Sequence, residues 1–172
     1  MAEHPGFNLK EIDQRSIVRL RVRPDGAETA VETMQLPQQA LQSQDENLAM
    51  HWLGPDQWLL TSESEPVSNI LAHIDEALSE QLFAATDLSS GLACFSLSGQ
   101  SSRTLLAMGC GIDMHPDSFR TGQCIRTRFA QVPVFMVATG DFEFDLYVDR
   151  SYALYLQEWL AVAGEDPITH PA

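Results

Sequence analysis

Residues 97–122 read L-S-G-Q-S-S-R-T-L-L-A-M-G-C-G-I-D-M-H-P-D-S-F-R-T-G, and this stretch sets the reading of the whole chain. Ser98 to Ser101 reads as a helix start, since serine side chains accept the unpaired N–H groups there, so a short helix is predicted over Ser101 to Met108. Gly109 or Gly111 is expected at its end, where a left-handed residue is tolerated. A loop then descends through Asp113, His115-Pro116 and Phe119. Arg126 to Ala138 reads as extended chain, with Pro133 expected at an edge or bulge because proline cannot donate to a ladder. Gly140-Asp141 turns into an alternating run in which Phe142, Phe144, Leu146 and Val148 face one side and Glu143, Asp145 and Tyr147 the other. Ser151 is the expected cap of a final helix. Its apolar face carries Tyr152, Tyr155, Leu156, Trp159, Leu160 and Ala163, and Gly164 is its stop.

Upstream, Ser16 to Arg23 alternates Val18, Leu20 and Val22 with Arg19, Arg21 and Arg23, the pattern of a half-buried strand. Pro24-Asp25-Gly26 is turn chemistry, and Glu28 to Leu36 is expected to return as the second strand of a hairpin, with Glu28 and Glu32 pairing the arginine row. Residues 38–46 form a polar, Gln-rich connector. The apolar runs on either side of Gly54-Pro55-Asp56 predict another hairpin, with Trp52 and Trp58 as large core or interface anchors. Pro66 to Leu82 places Val67, Ile70, Leu71, Ile74 and Leu78 on one helical stripe, with Ser64 or Glu65 as cap. Phe83 to Leu88 and Leu92 to Leu97, joined by Ser89-Ser90-Gly91, read as a further strand pair. The expected organisation is a flexible N-terminal arm over 1–14, a single domain over 15–164 and a frayed tail over 165–172. Mixed order, without strict strand–helix alternation, makes the fold class α+β, with mainly antiparallel sheets and about three helices.

The net charge of −14 over 172 residues argues against nucleic acid and anionic membrane as partners. No apolar run reaches the length of a membrane span, and the N-terminus lacks the basic-then-apolar order of an export signal, so a cytoplasmic protein is expected. The cysteines, Cys94, Cys110 and Cys124, are odd in number and contain no C-x-x-C, as reduced core thiols would be. The five histidines are scattered without an H-x-x-x-H or H-E-x-x-H spacing, so no metal site is expected. The serines form no G-x-S-x-G elbow, and Gly109-Cys110-Gly111 follows a helix rather than a strand, unlike a nucleotide loop. Asp87 and Asp113 stand near turns, where isolated aspartates usually cap backbone N–H groups. The residues therefore read as an acidic domain without visible catalytic apparatus, which favours a binding or assembly role.

Several elements taken in order, however, resemble a known family. They are Asp87-Leu88-Ser89, Leu97-Ser98-Gly99, Leu105-Leu106, Gly109-Cys110-Gly111-Ile112-Asp113, Phe119, Gly122, Arg126-Thr127 and Arg150-Ser151-Tyr152 running to Trp159-Leu160. Together they resemble the gamma subunit of heterotetrameric sarcosine oxidase, and Leu53-Gly54-Pro55-Asp56-Gln57-Trp58-Leu59-Leu60 is similar to that family's upstream LGPDEWLL element. The resemblance spans residues 48–160. It implies a fold like the folate-binding domain of the glycine-cleavage aminomethyltransferase. It also implies membership of a complex that demethylates sarcosine oxidatively to glycine, passes the one-carbon unit to tetrahydrofolate and releases hydrogen peroxide. On that resemblance the alpha, beta and delta subunits are the partners. FAD, FMN, NAD, zinc and tetrahydrofolate belong to the complex, and this chain carries no cofactor or catalytic residue of its own. The chain lacks the K-G-C-Y-x-G-Q-E motif of the related iron–sulfur accessory branch and has about half the length of a complete aminomethyltransferase.

The work of such a subunit is done by surface. The candidate contacts are Trp52, Trp58, Phe119, the row Arg19, Arg21 and Arg23, and the group Arg120, Arg126 and Arg128, because aromatic residues and arginine are enriched at interface centres. The ordinary alternative for each is core packing or internal ion pairing. A second reading is a free-standing folate-binding or aminomethyltransferase-like module. In it Asp87 or Asp113 would orient the pterin amine and an arginine of the 120–128 group would meet the glutamate tail. A self-associating chain, for instance a homodimer in isolation, is a third.

Overall fold

The computed structural model describes residues 2–4, 6–39, 43–44 and 47–165. The elements run β1 (Ala2–His4), β2 (Phe7–Glu11), β3 (Ser16–Val22), α1 (Ala27–Met34), β4 (Ser43–Gln44), β5 (Ala49–Gly54), β6 (Gln57–Ser62), α2 (Val67–Ala77), β7 (Phe83–Asp87), β8 (Leu92–Ser98), α3 (Ser102–Gly109), β9 (Cys124–Phe129), β10 (Val132–Gly140), β11 (Glu143–Asp149), a single 3-10 turn (Arg150–Tyr152) and α4 (Ala153–Gly164). The class is α+β with antiparallel sheets. Its contacts gather into two compact units, one of Met1–Asp13 with Gly91–Ala172 and one of Gln14–Ser90, where the sequence reads as a single domain over 15–164.

In the discontinuous unit the sheet order is β1-β2-β8-β11-β10-β9. One face of it, through Phe95, Leu97, Met136, Phe144 and Leu146, packs with Leu105 and Leu106 of α3 and Leu156 and Leu160 of α4. That alternation is the one legible in residues 142–148, and the opposite face also carries buried groups, among them Phe135, Asp145 and Tyr147. The extended run 126–138 contains a turn that the sequence does not announce. Ala130 and Gln131 both take positive φ, 46° and 74°, which closes a two-residue hairpin of the kind whose twist matches its strands. Tyr155 of α4 donates its hydroxyl to the Ala130 carbonyl at 2.8 Å, and the Ala130 N–H reaches Gly109 O at 2.8 Å, so helix ends replace the usual asparagine–glycine chemistry. Pro133 pairs with Arg128, one step beyond the closing pair Val132 and Phe129. The non-hydrogen-bonded position of that pair needs no N–H toward β9, and the ladder with β11 starts only at Val134, so proline costs no ladder bond.

In the contiguous unit the order is β4-β5-β6-β3-β7. Val18, Leu20 and Val22 of β3 meet Trp58 and Leu60 of β6 beneath Ala30 and Met34 of α1 and Ile70, Ile74 and Leu78 of the α2 region. The expected hairpin around Gly54-Pro55-Asp56 and the stripe of α2 are both present.

Several expectations need correction. The arm 1–14 is not loose where it is described: β2 pairs with β8 from Asn8 opposite Ser98, and Phe7 and Leu9 are buried. Where the sequence suggests a returning strand over 28–36, Ala27–Met34 is helix, because Ala27, Ala30, Val31 and Met34 form an i, i+3, i+4, i+7 stripe that reaches the core. Arg23 accordingly pairs with Asp25, and neither Glu28 nor Glu32 has an ion-pair partner among the described residues. β7 and β8 do not pair with each other: β7 bonds to β3, whereas β8 lies between β2 and β11. Neither Gly109 nor Gly111 is left-handed. A Cβ on Gly109 would stand 2.4 Å from the Phe129 ring, so close approach explains that glycine. Asp149 opens the 3-10 turn that leads into the last helix, its carboxylate accepting from the Ser151 N–H at 3.0 Å, while neither α4 nor α2 has a side-chain cap. Helix α4 continues through Gly164, which is buried against the Phe7 ring. Within the connector, Ser43–Gln44 pairs with β5, whereas residues 40–42 and 45–46 and the expected tail beyond Glu165 lie outside the described residues.

Candidate interaction surface

The candidate residues divide between interior and surface. Trp58 is 2% exposed and donates its indole N–H to Pro37 O at 2.8 Å, the satisfied polar end that a core tryptophan requires. Phe119 is also interior, stacked on Phe144 with centroids 6.2 Å apart and planes 12° from parallel. Trp52 is only half-buried. It lies directly across β5–β6 from Trp58 and lines a groove with Glu28, Glu32 and Asp56.

Among the arginines, Arg19 and Arg21 stand exposed on β3, whose neighbours β6 and β7 fix their spacing. Arg23 is tied to Asp25. Arg120 is turned back on the Asp117 carbonyl at 3.0 Å and Arg128 on the Gln131 carbonyl at 2.7 Å, while Arg126 stands exposed on β9, at the edge of its sheet. Arg126 and Arg128 share one strand face by their spacing, as do Arg19 and Arg21.

Asp87 accepts from the Ser89 N–H at 2.9 Å. Asp113 accepts from the His115 N–H at 3.0 Å and from the Ser118 hydroxyl, and these bonds hold its carboxyl below the usual range. Both aspartates are thus occupied by their own turns, a poor fit to the pterin-orienting role of the folate reading. Burial pushes the Cys110 thiol up, which does not favour a thiolate nucleophile. No group of three or more metal-ligating side chains occurs among the described residues, and no described helix is long and apolar enough to cross a membrane.

The residue that sequence reasoning misses is Arg103. It is 7% exposed and occupies the inner side of α3. Its Nε donates to Asp141 O at 2.6 Å, and Nη1 to Met114 O at 2.7 Å and Phe119 O at 2.9 Å. The guanidinium carbon lies 5.1 Å from the Phe144 ring centroid. The rigid fork of arginine therefore supplies donors to carbonyls of the loop after α3 and of the β10–β11 turn, which have no strand to pair with. The available signal was a lone charge in an otherwise uncharged helix, three residues before the buried Leu106.

Comparison with known proteins places this geometry. Over 112 residues the chain is 30% identical to the sarcosine oxidase gamma subunit of Corynebacterium sp. strain U-96, an alignment covering 65% of this chain and 54% of that one. With the gamma subunit of Corynebacterium sp. strain P-1 it shares 28% identity over 79% of this chain and 67% of the relative. Among solved structures, the heterotetrameric sarcosine oxidase from Corynebacterium sp. U-96 in complex with pyrrole 2-carboxylate matches with a TM-score of 0.85 at 27% identity, over 95% of this chain and 86% of that chain. The glycine cleavage system aminomethyltransferase T from Bartonella henselae shares the fold, with a TM-score of 0.69 at 15% identity, over 95% of this chain and 50% of that one. The model of the sarcosine oxidase gamma subunit family matches residues 20–166, and the chain belongs to that family.

Proposed function

We propose that this chain is the accessory, non-catalytic gamma subunit of a heterotetrameric, flavin-dependent sarcosine oxidase. The complex would demethylate sarcosine oxidatively to glycine, transfer the one-carbon unit to tetrahydrofolate and release hydrogen peroxide in the cytoplasm. The alpha, beta and delta subunits would hold FAD, FMN, NAD and zinc and provide the tetrahydrofolate site, while this chain contributes surface. The observation that carries the reading is the match to the heterotetrameric enzyme, with a TM-score of 0.85 over nearly the whole chain. The site chemistry agrees with it, since the two aspartates available to a ligand are engaged by their own turns. Trp52 is the half-exposed candidate for subunit contact and Arg19, Arg21, Arg23, Arg120, Arg126 and Arg128 are the exposed ones, and arginine and tryptophan are residue types that dominate interface energetics.

Co-expression with the alpha, beta and delta subunits, purification through a tag on alpha and gel filtration test the proposal. A stoichiometric four-chain species that oxidises sarcosine is the expected result. A chain that elutes wholly apart from the other three overturns it. Calorimetric titration of the isolated chain with tetrahydrofolate is expected to be silent, and micromolar binding would support the folate-module reading instead.

A further inference from the structure

One surface of the contiguous unit combines shape and charge. Helix α1, the β5–β6 hairpin and Trp52 enclose a groove of about 480 Å³. Its apolar wall is Trp52, Trp58 and Val31, and its acidic residues are Glu28, Glu32 and Asp56, with no lysine or arginine in the lining. Glu28 and Glu32 are one helical turn apart, so both carboxylates project from the same side of α1. Both are exposed, and neither has an ion pair among the described residues. An aromatic wall beside converging carboxylates suits one chemistry above others. A planar cation can stack on the indole while its N–H fork meets carboxylate oxygens.

We infer that this groove is a docking site for an arginine-bearing segment of a partner subunit, the guanidinium stacking on Trp52 between Glu28, Glu32 and Asp56. The inference rests on the proposed role as a subunit of a larger oxidase and names the surface and the chemistry of one contact within it. Charge complementarity selects the occupant, because an acidic or purely apolar segment would leave three carboxylates beside it uncompensated. The exposed rim of Glu28, Glu32, Gln38 and Pro55 suits a side chain carried by a docked segment better than a small free cation, which binds where most of its surface is enclosed.

The test uses the co-expressed complex, with the affinity of this chain for the assembled alpha, beta and delta subunits measured by surface plasmon resonance at low and high salt. Wild type is expected to bind more weakly as salt rises. Trp52→Ala and the double change Glu28→Arg with Glu32→Arg are each expected to weaken binding at least tenfold while the free chain keeps its circular dichroism and a cooperative melt, lowered for Trp52→Ala by its lost packing on the core. In the wild-type complex, hydrogen exchange is expected to slow at residues 27–32 and 52–58. Folded variants that bind like wild type, with no slowing at those segments, overturn the docking site while leaving the subunit assignment intact. Failure of wild type itself to bind overturns the subunit assignment as well. If the arginine variant does not fold, Glu28→Gln with Glu32→Gln decides, several-fold weaker binding supporting the inference and equal binding overturning it. One further result reassigns the groove and overturns the inference: a homodimer abolished by Trp52→Ala.

Discussion

Burial fixes the protonation of His51, whose ring nitrogen lies 3.1 Å from Thr61 Oγ1 and whose pKa is lowered to about 3, first by loss of hydration and then by the charge of Arg15. An unfolded histidine titrates near 6.5, so between about pH 6.5 and pH 3 the unfolded chain takes up a proton that the folded one refuses. The stability held by neutral His51 is complete above that window and is lost as pH falls through it, at about 1.4 kcal/mol per pH unit. Denaturant midpoints measured from pH 7 to pH 4 should fall accordingly, and His51→Gln should flatten the slope; an equal slope in the variant would show that other groups carry it. Arg103 makes the opposite case, a cation kept inside by carbonyl acceptors. Arg103→Met leaves the carbonyls of Asp141, Met114 and Phe119 without their donor and should cost about 2–4 kcal/mol, read as a lower urea midpoint. Arg103→Lys should recover less than half of that loss, because a single ammonium cannot span the bonds that the fork makes.

At the level of elements, the end of helix α3 is held by contact rather than by special backbone angles. Gly109 lies where a methyl group would meet Phe129, and that ring is pinned edge-on against Trp159, with centroids 4.8 Å apart and planes at 80°. Gly109→Ala should therefore destabilise by about 1–3 kcal/mol, as overpacking does. Gly111→Ala, with open space at its Cβ, should stay within about 0.5 kcal/mol, so equal melting of the two variants would refute the packing account. Elements whose period is written in adjacent residues were legible: β3, the β5–β6 hairpin, α2, β11 and α4. What was not legible depended on distant partners. The 28–36 stretch follows a strong turn signal, Pro24-Asp25-Gly26, and its Ala30–Met34 stripe gains meaning only beneath a sheet. The β9–β10 turn has no glycine or asparagine because Tyr155 and Gly109 hold it from outside. At the candidate surface, residue type named aromatic and arginine candidates but carried no information on their exposure, and Phe119 and Trp58 are core. Arg103 escaped because its acceptors lie 11 to 38 residues away.

The whole molecule is organised by a chain that starts one sheet, leaves it for 77 residues and then returns, since β2 is completed only when β8 pairs with it. The N-terminal strands are thus part of the larger sheet, and their removal tests the architecture more directly than any core substitution. A chain lacking residues 1–13 loses the buried side chains of Phe7 and Leu9, each contributing about 1.5–3 kcal/mol, together with the ladder on one side of β8. It also exposes the surface of α4 around Gly164, on which the Phe7 ring packs. The combined loss, about 3–6 kcal/mol before the ladder is counted, is comparable to the whole stability of many domains, about 5–15 kcal/mol. The truncated chain should therefore lose hydrogen-exchange protection first in β8, β11 and α4, and should associate through the newly exposed edge of β8. Protection in β3, β6 and α2 should fall less, because their core of Val18, Leu20, Leu60, Ile70 and Ile74 contains none of the deleted residues. If instead the truncated chain melts at the wild-type temperature, the N-terminal strands are dispensable and the discontinuous sheet is not what holds that unit together. If both units lose protection to the same degree, they unfold as one cooperative body rather than as two.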